Sequence, residues 1–322
     1  ATYEVVEPDA ITLTATSTSV TCAGAADGTA TATGSGGTGA ITYSWDASAS
    51  LQTGATATGL AVGTYSVTAT DANSCPEVTT VTVIEPTALT LTAVSTDPLC
   101  AGANDGTATA TGSGGTGALS YNWSSGAGIA AATNLTAGTY TVTLSDGNSC
   151  TTVTSVTLTD PAGITPTATS TSVTCNGGND GTVTASGIGG TGTLDYLWSS
   201  GDNTATANTL TAGGYTVTIT DDNSCTTVTS VTVIEPAALT LTTSGVSVTC
   251  NGGNDGSATA VGTGGEAPIT YSWSSGANTA TANTLAAGTY TVTATDDNTC
   301  SITATYEVVE PDAITLTATS TS

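Results

Sequence analysis

The stretch Leu135-Thr-Ala-Gly-Thr-Tyr140-Thr-Val-Thr-Leu-Ser-Asp146-Gly-Asn-Ser-Cys150 is written, with small changes, four times along the chain. Tyr140, Val142 and Leu144 alternate with Thr139, Thr141 and Thr143, so one face is apolar and the other carries hydroxyls. That period of two marks a half-buried β-strand. The other copies run Gly63 to Cys75, Gly213 to Cys225 and Gly288 to Cys300, with inward triplets Tyr65, Val67, Ala69; Tyr215, Val217, Ile219; and Tyr290, Val292, Ala294. Four equivalent core strands imply four equivalent domains, and function is to be sought in the array as well as in the unit.

Working outward, each repeat shows further strands. The first carries Ile11, Leu13 and Ala15, or Leu89, Leu91 and Ala93. After the first Cys comes an Asp-Gly turn (Asp27-Gly28, Asp105-Gly106, Asp180-Gly181, Asp255-Gly256), then a Thr/Ala strand whose small inward residues let an opposing layer approach. The heaviest strand follows, with Tyr43 and Trp45, Tyr121 and Trp123, Tyr196 and Trp198, or Tyr271 and Trp273 on one face. Each Trp therefore reads as the centre of a core rather than as a sugar-stacking platform. Leu60, Leu135, Leu210 and Leu285 stand five residues before a Tyr, an arrangement that resembles the tyrosine corner of Ig-like sandwiches. In the last strand, Val153, Val156 and Leu158, and Val228, Val231 and Val233, include a spacing of three that implies a β-bulge near Thr154 and Thr229. About seven short strands per repeat give an all-β fold of tandem Ig-like β-sandwich domains, expected as an elongated string at about 25 to 40 Å per repeat.

Glu-Pro or Asp-Pro steps (Glu7-Pro8, Glu85-Pro86, Asp160-Pro161, Glu235-Pro236, Glu310-Pro311) set the boundaries, because proline has no amide for a ladder and holds the preceding residue extended. The domains are then 9–86, 87–161, 162–236 and 237–311, flanked by the end of a preceding repeat at 1–8 and the start of a following one at 312–322. First cysteines are spaced 78, 75 and 75 residues apart, and residues 1–19 recur unchanged as 304–322. Two readings fit that duplication: a window on a longer array, or a device by which one chain completes the next. The window is preferred, since nearly repeated arrays extend naturally.

Composition removes whole classes of function. There is no Lys, Arg or His, and 25 carboxylates leave a formal charge of −25 over 322 residues. Side-chain salt bridges are therefore absent, and nucleic acid and anionic membrane surfaces are disfavoured as partners. Without His or Lys there is no Ser-His-Asp or Cys-His pair, Schiff base or P-loop, so no enzyme is expected. The adjacent carboxylates Asp221-Asp222 and Asp296-Asp297 would point to opposite faces of a strand and offer no catalytic pair. No apolar run is long enough to span a membrane.

Eight cysteines (Cys22, Cys75, Cys100, Cys150, Cys175, Cys225, Cys250, Cys300) read as a disulfide framework of an oxidising compartment. Pairing within each repeat (Cys22–Cys75, Cys100–Cys150, Cys175–Cys225, Cys250–Cys300) is preferred because it staples each thin core alone. Pairing across each boundary (Cys75–Cys100, Cys150–Cys175, Cys225–Cys250) is the alternative. Strict Ig topology would instead put a repeat's two cysteines at opposite poles and open a bridge between neighbouring domains.

The acidic turns before the second Cys (Asp71 and Asn73; Asp146 and Asn148; Asp221, Asp222 and Asn223; Asp296, Asp297 and Asn298) are candidate Ca²⁺ ligands, being oxygen donors with no competing cation. An Asx turn explains the same residues without metal. A melting temperature unchanged by EDTA would end the calcium reading. No other cofactor is expected.

The ordered series Cys-x-Gly-x-x-Asp-Gly, Tyr-x-Trp-Ser, Leu-x-Ala-Gly-Thr-Tyr-x-Val-Thr, Asp-x-Asn-Ser-Cys and Val-x-x-Glu-Pro resembles the SprB-type repeat of Bacteroidota gliding adhesins and related giant cell-surface proteins. Cys175–Asp180, Tyr196–Ser199, Leu210–Val217, Asp221–Cys225 and Val233–Pro236 carry the likeness most closely. Departures are Ala23-Gly-Ala-Ala26, a three-residue insertion after Trp45 and the complete lack of Lys and Arg. The resemblance implies export, by the type IX route, and display on the cell surface as a non-enzymatic structural or adhesive filament linked to gliding or attachment. The partners expected are further copies of the repeat in a longer chain, lateral self-assembly through exposed Thr-rich strand edges, and surface glycans. An array of Ca²⁺-dependent carbohydrate-binding modules is the alternative reading.

Overall fold

The computed structural model describes residues 2–319. It divides into two compact units, Ala1–Pro161 and Ala162–Ser322, each holding two β-sandwiches. In the first unit, repeat 1 comprises β1 (Thr12–Thr18), β2 (Gly28–Ser35), β3 (Thr42–Trp45), β4 (Thr56–Leu60), β5 (Gly63–Thr70) and β6 (Pro76–Val83). Sheets β1-β2-β4 and β3-β5-β6 face each other. A 3-10 turn at Ala47–Ala49, capped by the Asp46 carboxylate, takes up the insertion after Trp45. Repeat 2 repeats the plan with β7 (Thr90–Thr96), β8 (Gly106–Ser113), β9 (Ser120–Trp123), β10 (Ala131–Leu135), β11 (Gly138–Ser145) and β12 (Thr151–Leu158).

In the second unit, repeat 3 has β13 (Thr165–Thr171), β14 (Gly181–Ile188), β15 (Asp195–Trp198), β16 (Thr206–Leu210), β17 (Gly213–Thr220) and β18 (Thr226–Val233). Repeat 4 has β19 (Thr240–Val246), β20 (Gly256–Thr263), β21 (Thr270–Trp273), β22 (Thr281–Leu285), β23 (Gly288–Thr295) and β24 (Ser301–Val308). Every ladder is antiparallel, and each sheet has three strands.

The alternation read from the sequence is what builds the cores. In repeat 3, Trp198 lies opposite Val217 in register and packs with Val183, Ala185, Ala207, Leu210, Ile219 and Val233, all buried. The small residues of the Thr/Ala strand matter here: Ala30 and Ala32 are buried, and Gly28 has no room for a side chain. A Cβ on Gly181, its counterpart, would stand 2.7 Å from Val233 Cγ1 and 2.9 Å from the Leu210 carbonyl oxygen. Asp-Gly therefore serves close sheet packing at the Gly, and a loop tie at the Asp, rather than a two-residue hairpin.

The corner expected between sheets is present in all four repeats. Tyr65, Tyr140, Tyr215 and Tyr290 donate their hydroxyls to the carbonyls of Ala61, Thr136, Thr211 and Ala286 at 2.9 to 3.1 Å. The chain thus crosses from β4 to β5, or its equivalent, with the turn pinned four residues upstream.

The expected bulge at Thr154 and Thr229 does not form. β11 pairs with β12 without a break from Gly138↔Leu158 to Ser145↔Thr151, and β17 with β18 likewise. Val153 and Val228 face outward and are exposed, so only Val156, Leu158, Val231 and Val233 belong to the core face. The irregularity lies in the other sheet, just before the corner leucine. Gly59, Asn134, Thr209 and Thr284 there adopt φ of 58 to 68°, and the register slips by one residue. An extra residue with positive φ is how a bulge bends a strand toward a corner.

The two sheets of a repeat also meet along one edge. Val20 N donates to Ile84 O, Val173 N to Ile234 O and Val248 N to Val309 O. Repeat 2 has Pro98 in this place and no amide to give. Asp97 closes the gap, its carboxylate accepting from Thr159 N at 2.9 Å and Thr159 Oγ1 at 2.8 Å.

The duplicated termini show that partners, not local sequence, make these strands. Thr305, Tyr306 and Val308 lie in β24, whereas the same sequence at Thr2, Tyr3 and Val5 forms no strand and is exposed. Ile314 and Leu316 are exposed too, although Leu13 of the matching β1 packs on the core of repeat 1.

Candidate functional site

The most elaborated chemistry outside the cores lies at the joint between consecutive repeats within each unit. One half of the joint is the loop carrying a repeat's first cysteine. In repeat 1, Asp27 accepts from Thr21 N at 3.0 Å and from Thr21 Oγ1, and Ala25 N donates to Cys22 O. These hydrogen bonds, led by the Thr21 hydroxyl, hold the Asp27 carboxyl below its ordinary pKa. Glu85, immediately before Pro86, reaches back and accepts from Gly24 N at 2.7 Å. The residue that ends the repeat therefore fastens its cysteine loop.

The other half is the acidic turn of the next repeat. Asp146 accepts from Asn148 N, Cys150 N and Thr116 N at 2.8 to 3.0 Å, so it ties its own turn to the Gly-rich turn of the same repeat. Ser149 takes φ of 67°, which aims Cys150 outward. Cys150 bridges to Cys22 with Cα atoms 5.7 Å apart, and Asn148 Nδ2 donates to Thr21 O at 3.1 Å. A groove lined by Cys22, Pro86, Leu89, Asp146 and Cys150 runs beside the bridge.

The second unit repeats this joint with the same parts. Cys175 bridges to Cys300 at a Cα separation of 5.7 Å, and Asn298 Nδ2 donates to Thr174 O at 3.1 Å. Glu235 accepts from Gly177 N at 2.8 Å, and Asn176 Nδ2 donates to Pro236 O at 3.0 Å. Cys100 and Cys225 are also disulfide-bonded, while Cys75 and Cys250 are free and exposed.

Both explicit cysteine schemes are thereby corrected. Cys22, Cys150, Cys175 and Cys300 pair neither within their repeats nor across the adjacent boundary, and Cys75 and Cys250 carry thiols. The reason is topological. The bond from Val20 N to Ile84 O places the Cys22 loop at the end of β6, whereas Cys75 directly precedes its start. An eight-residue strand separates them by about 25 Å, far beyond disulfide reach. The first cysteine of one repeat instead meets the second cysteine of the next, the bridge between neighbours that opposite poles permit.

Most of the candidate Ca²⁺ ligands hydrogen-bond within their own repeats. Asp71 accepts from Asn73 N, Cys75 N and Thr38 N, and Asp221 from Thr191 N, Asn223 N and Cys225 N, at 2.8 to 2.9 Å or 3.0 Å at most. Asp296 accepts from Cys300 N and Glu266 N, Asp222 accepts from Thr193 Oγ1, and Asp297 N donates to Glu266 O. Asn148 and Asn298 serve the joints. Among the described residues no group of three or more Cys, Asp or Glu is placed to hold a metal ion. Glu85, Glu235 and Glu310, which in the sequence look like mere boundary residues before a proline, are functional parts of the joint loops. Their signal was a Glu before Pro in three repeats, against the shorter Asp160 in repeat 2.

The amide bonds to these aspartates have a pH signature. The Thr191 amide first, and then those of Cys225 and Asn223, hold the Asp221 carboxyl below the ordinary Asp value despite burial. A depressed folded pKa contributes stability above the unfolded value, near 3.9, and loses it as pH falls through the folded one. Asp221→Asn keeps one acceptor but turns an N–H donor toward the Thr191 amide. We expect a lower melting temperature at pH 7 and a shallower decline below about pH 4 than in the parent, read by circular dichroism.

The fold and the joint define a class: tandem Ig-like β-sandwiches whose two repeats in each unit are locked by an inter-repeat disulfide. The chain carries four SprB repeats, the profile of that family matching residues 14–50, 92–128, 167–203 and 242–278, once per sandwich. No curated protein sequence matches it. Among solved structures, the tetra-tandem repeat in the extending region of a large adhesion protein is 14% identical, covering 92% of this chain and 99% of that one with a TM-score of 0.27. Protocadherin Gamma B2 cadherin domains 3–6 are 14% identical, covering 92% and 97% with a TM-score of 0.29. The N-terminal four Ig domains of Dscam1 isoform 6.44 are 12% identical, covering 88% and 94% with a TM-score of 0.23. No described helix is long and apolar enough to cross a membrane.

Proposed function

We propose that this chain is a non-enzymatic, extracellular repeat segment of adhesion type, serving as an extended stalk or filament that holds an attachment or gliding element away from the cell. The observation that carries this reading is the joint: a disulfide, an Asn-to-carbonyl hydrogen bond and a Glu-Pro tie fix the two repeats of each unit to one another without a flexible linker. Disulfides of this density belong to an oxidising compartment, which supports export and surface display. The absence of His, Lys and Arg from the sequence removes His- and Lys-dependent acid–base and nucleophilic catalysis, which supports a mechanical role. A string of locked sandwiches transmits length, and its −25 charge keeps neighbouring strings apart.

The test is surface labelling. Antibody raised to the purified protein should decorate intact producing cells, and the label should survive trypsin, for which the chain has no Lys or Arg. Label appearing only after permeabilisation would sink the reading.

A further inference from the structure

The two bridges decide where a pull along the chain is felt. In the first unit, β1 comes before Cys22 and β12 after Cys150, while β2 to β11 lie between the two cysteines. In the second unit, β13 and β24 lie outside the bridge, and β14 to β23 lie between Cys175 and Cys300. The shortest covalent route through either unit therefore runs along its first strand, across the disulfide and out along its last strand. It skips a sequence span of 128 residues in one unit and 125 in the other, and with them all four core tryptophans.

The strands left on that route are already drawn out. A β-strand rises about 3.2–3.4 Å per residue against a limit of about 3.3–3.6 Å, so tension along β1, β12, β13 or β24 finds almost no slack. Their ends at the joints are fastened. Val20 N donates to Ile84 O just before Cys22, and Asp146 accepts from Cys150 N just before β12. In the second unit Val173 N donates to Ile234 O, and Cys300 N to Asp296 at 2.8 Å. The sandwiches off the route are poorly suited to load. Alanines fill much of the space beside each Trp, as Ala30, Ala32 and Ala57 do beside Trp45, and small side chains bury little apolar area. A bridge inside one repeat would leave the Glu85-Pro86 joint under tension, whereas the bridge from Cys22 to Cys150 shields that joint together with both cores.

We propose that each inter-repeat disulfide is a tension shunt, carrying force applied along the chain past the folded cores of both repeats that it joins. Oxidised, each unit then keeps its length under load whether or not its sandwiches could withstand that load. Reduced, the same unit becomes extensible, because the force passes through β2 to β11, or β14 to β23, and peels them apart. The arrangement deepens the stalk reading above and rests on it for its use in the cell. Its test reads extension under force and not surface display, so either can fail alone.

The full chain is held by peptide tags at its two ends in optical tweezers, at a force sufficient to unfold Ig-like sandwiches. Oxidised, it should show no lengthening step above about 100 Å, the reach of the longest stretch outside the bridges. Dithiothreitol is then added; its two thiols displace the two sulfurs of each bridge in turn, leaving two cysteine thiols and a cyclic reagent disulfide. The chain should lengthen by roughly 830 to 910 Å in all, the extended reach of both shielded spans. A protein carrying Cys22→Ser and Cys150→Ser should extend at least about 300 Å further than the parent with no reductant present. Repeat-sized steps in the oxidised parent, a reduced chain no longer than the oxidised one, or a double variant that stays as short as the parent would each overturn the proposal.

Discussion

Trp198→Ala is expected to remove about 3–5 kcal/mol from repeat 3, the cost of deleting a large aromatic side chain from a packed core. Trp198 is 2% exposed, sits opposite Val217, and donates its indole N–H to Thr204 O at 3.1 Å. A domain of this size commonly holds about 4–11 kcal/mol in all, so the loss takes much of its margin. No second Trp or Phe is available to fill the space, and the alanines opposite cannot collapse onto it. The measurement is differential scanning calorimetry, with a new low-temperature transition assigned to repeat 3 by hydrogen exchange. A transition unchanged within about 1 kcal/mol would mean that the Trp is not the centre of the core. A control sharpens this. Trp123, equally buried in repeat 2, has no acceptor for its indole nitrogen among the described residues. Trp123→Phe should therefore cost about 1 kcal/mol less than Trp198→Phe, since only the second loses a satisfied hydrogen bond.

That core was readable because it depends on parity. Tyr196 and Trp198, or Tyr215, Val217 and Ile219, reveal their shared face to anyone counting by two, and the Leu210-to-Tyr215 spacing announces the corner. Parity also misled: Val153 and Val228 are apolar but exposed, and counting them as core demanded a bulge that the unbroken register of β12 and β18 excludes. The extra residue sits at Thr209 and its equivalents, where no unusual residue type advertises positive φ except Gly59 and Asn134. The joint was harder still. Which cysteines meet depends on which pole of a sandwich each occupies, and that follows from strand direction across the whole fold, not from spacing. The tie from Glu85 to Gly24 spans 61 residues and leaves no local pattern.

Cys22→Ser is expected to release the joint of the first unit while leaving both of its sandwiches folded. The two repeats have separate buried cores, one around Trp45 and one around Trp123, and neither contains a cysteine. What the bridge adds is a constraint across 128 residues, worth about 5 kcal/mol in the chain-entropy model if the two repeats unfold together. The expected loss is about 2–5 kcal/mol, smaller the more independently the repeats unfold. Without the covalent link, the two loops keep the bond from Asn148 Nδ2 to Thr21 O and the contact of Cys150 Sγ with the same carbonyl, and a single exposed hydrogen bond is worth about 1 kcal/mol. Amides of the Cys22 loop and of the acidic turn should then exchange at least tenfold faster, with β5 and β11 unchanged. Cys150→Ser should reproduce the effect, since either sulfur alone is useless to the joint. If the two variants left loop exchange as slow as in the parent, the Glu85 tie and the proline step would be sufficient to hold the joint, and the disulfide would have to be reassigned from locking neighbours to protecting the chain after it unfolds.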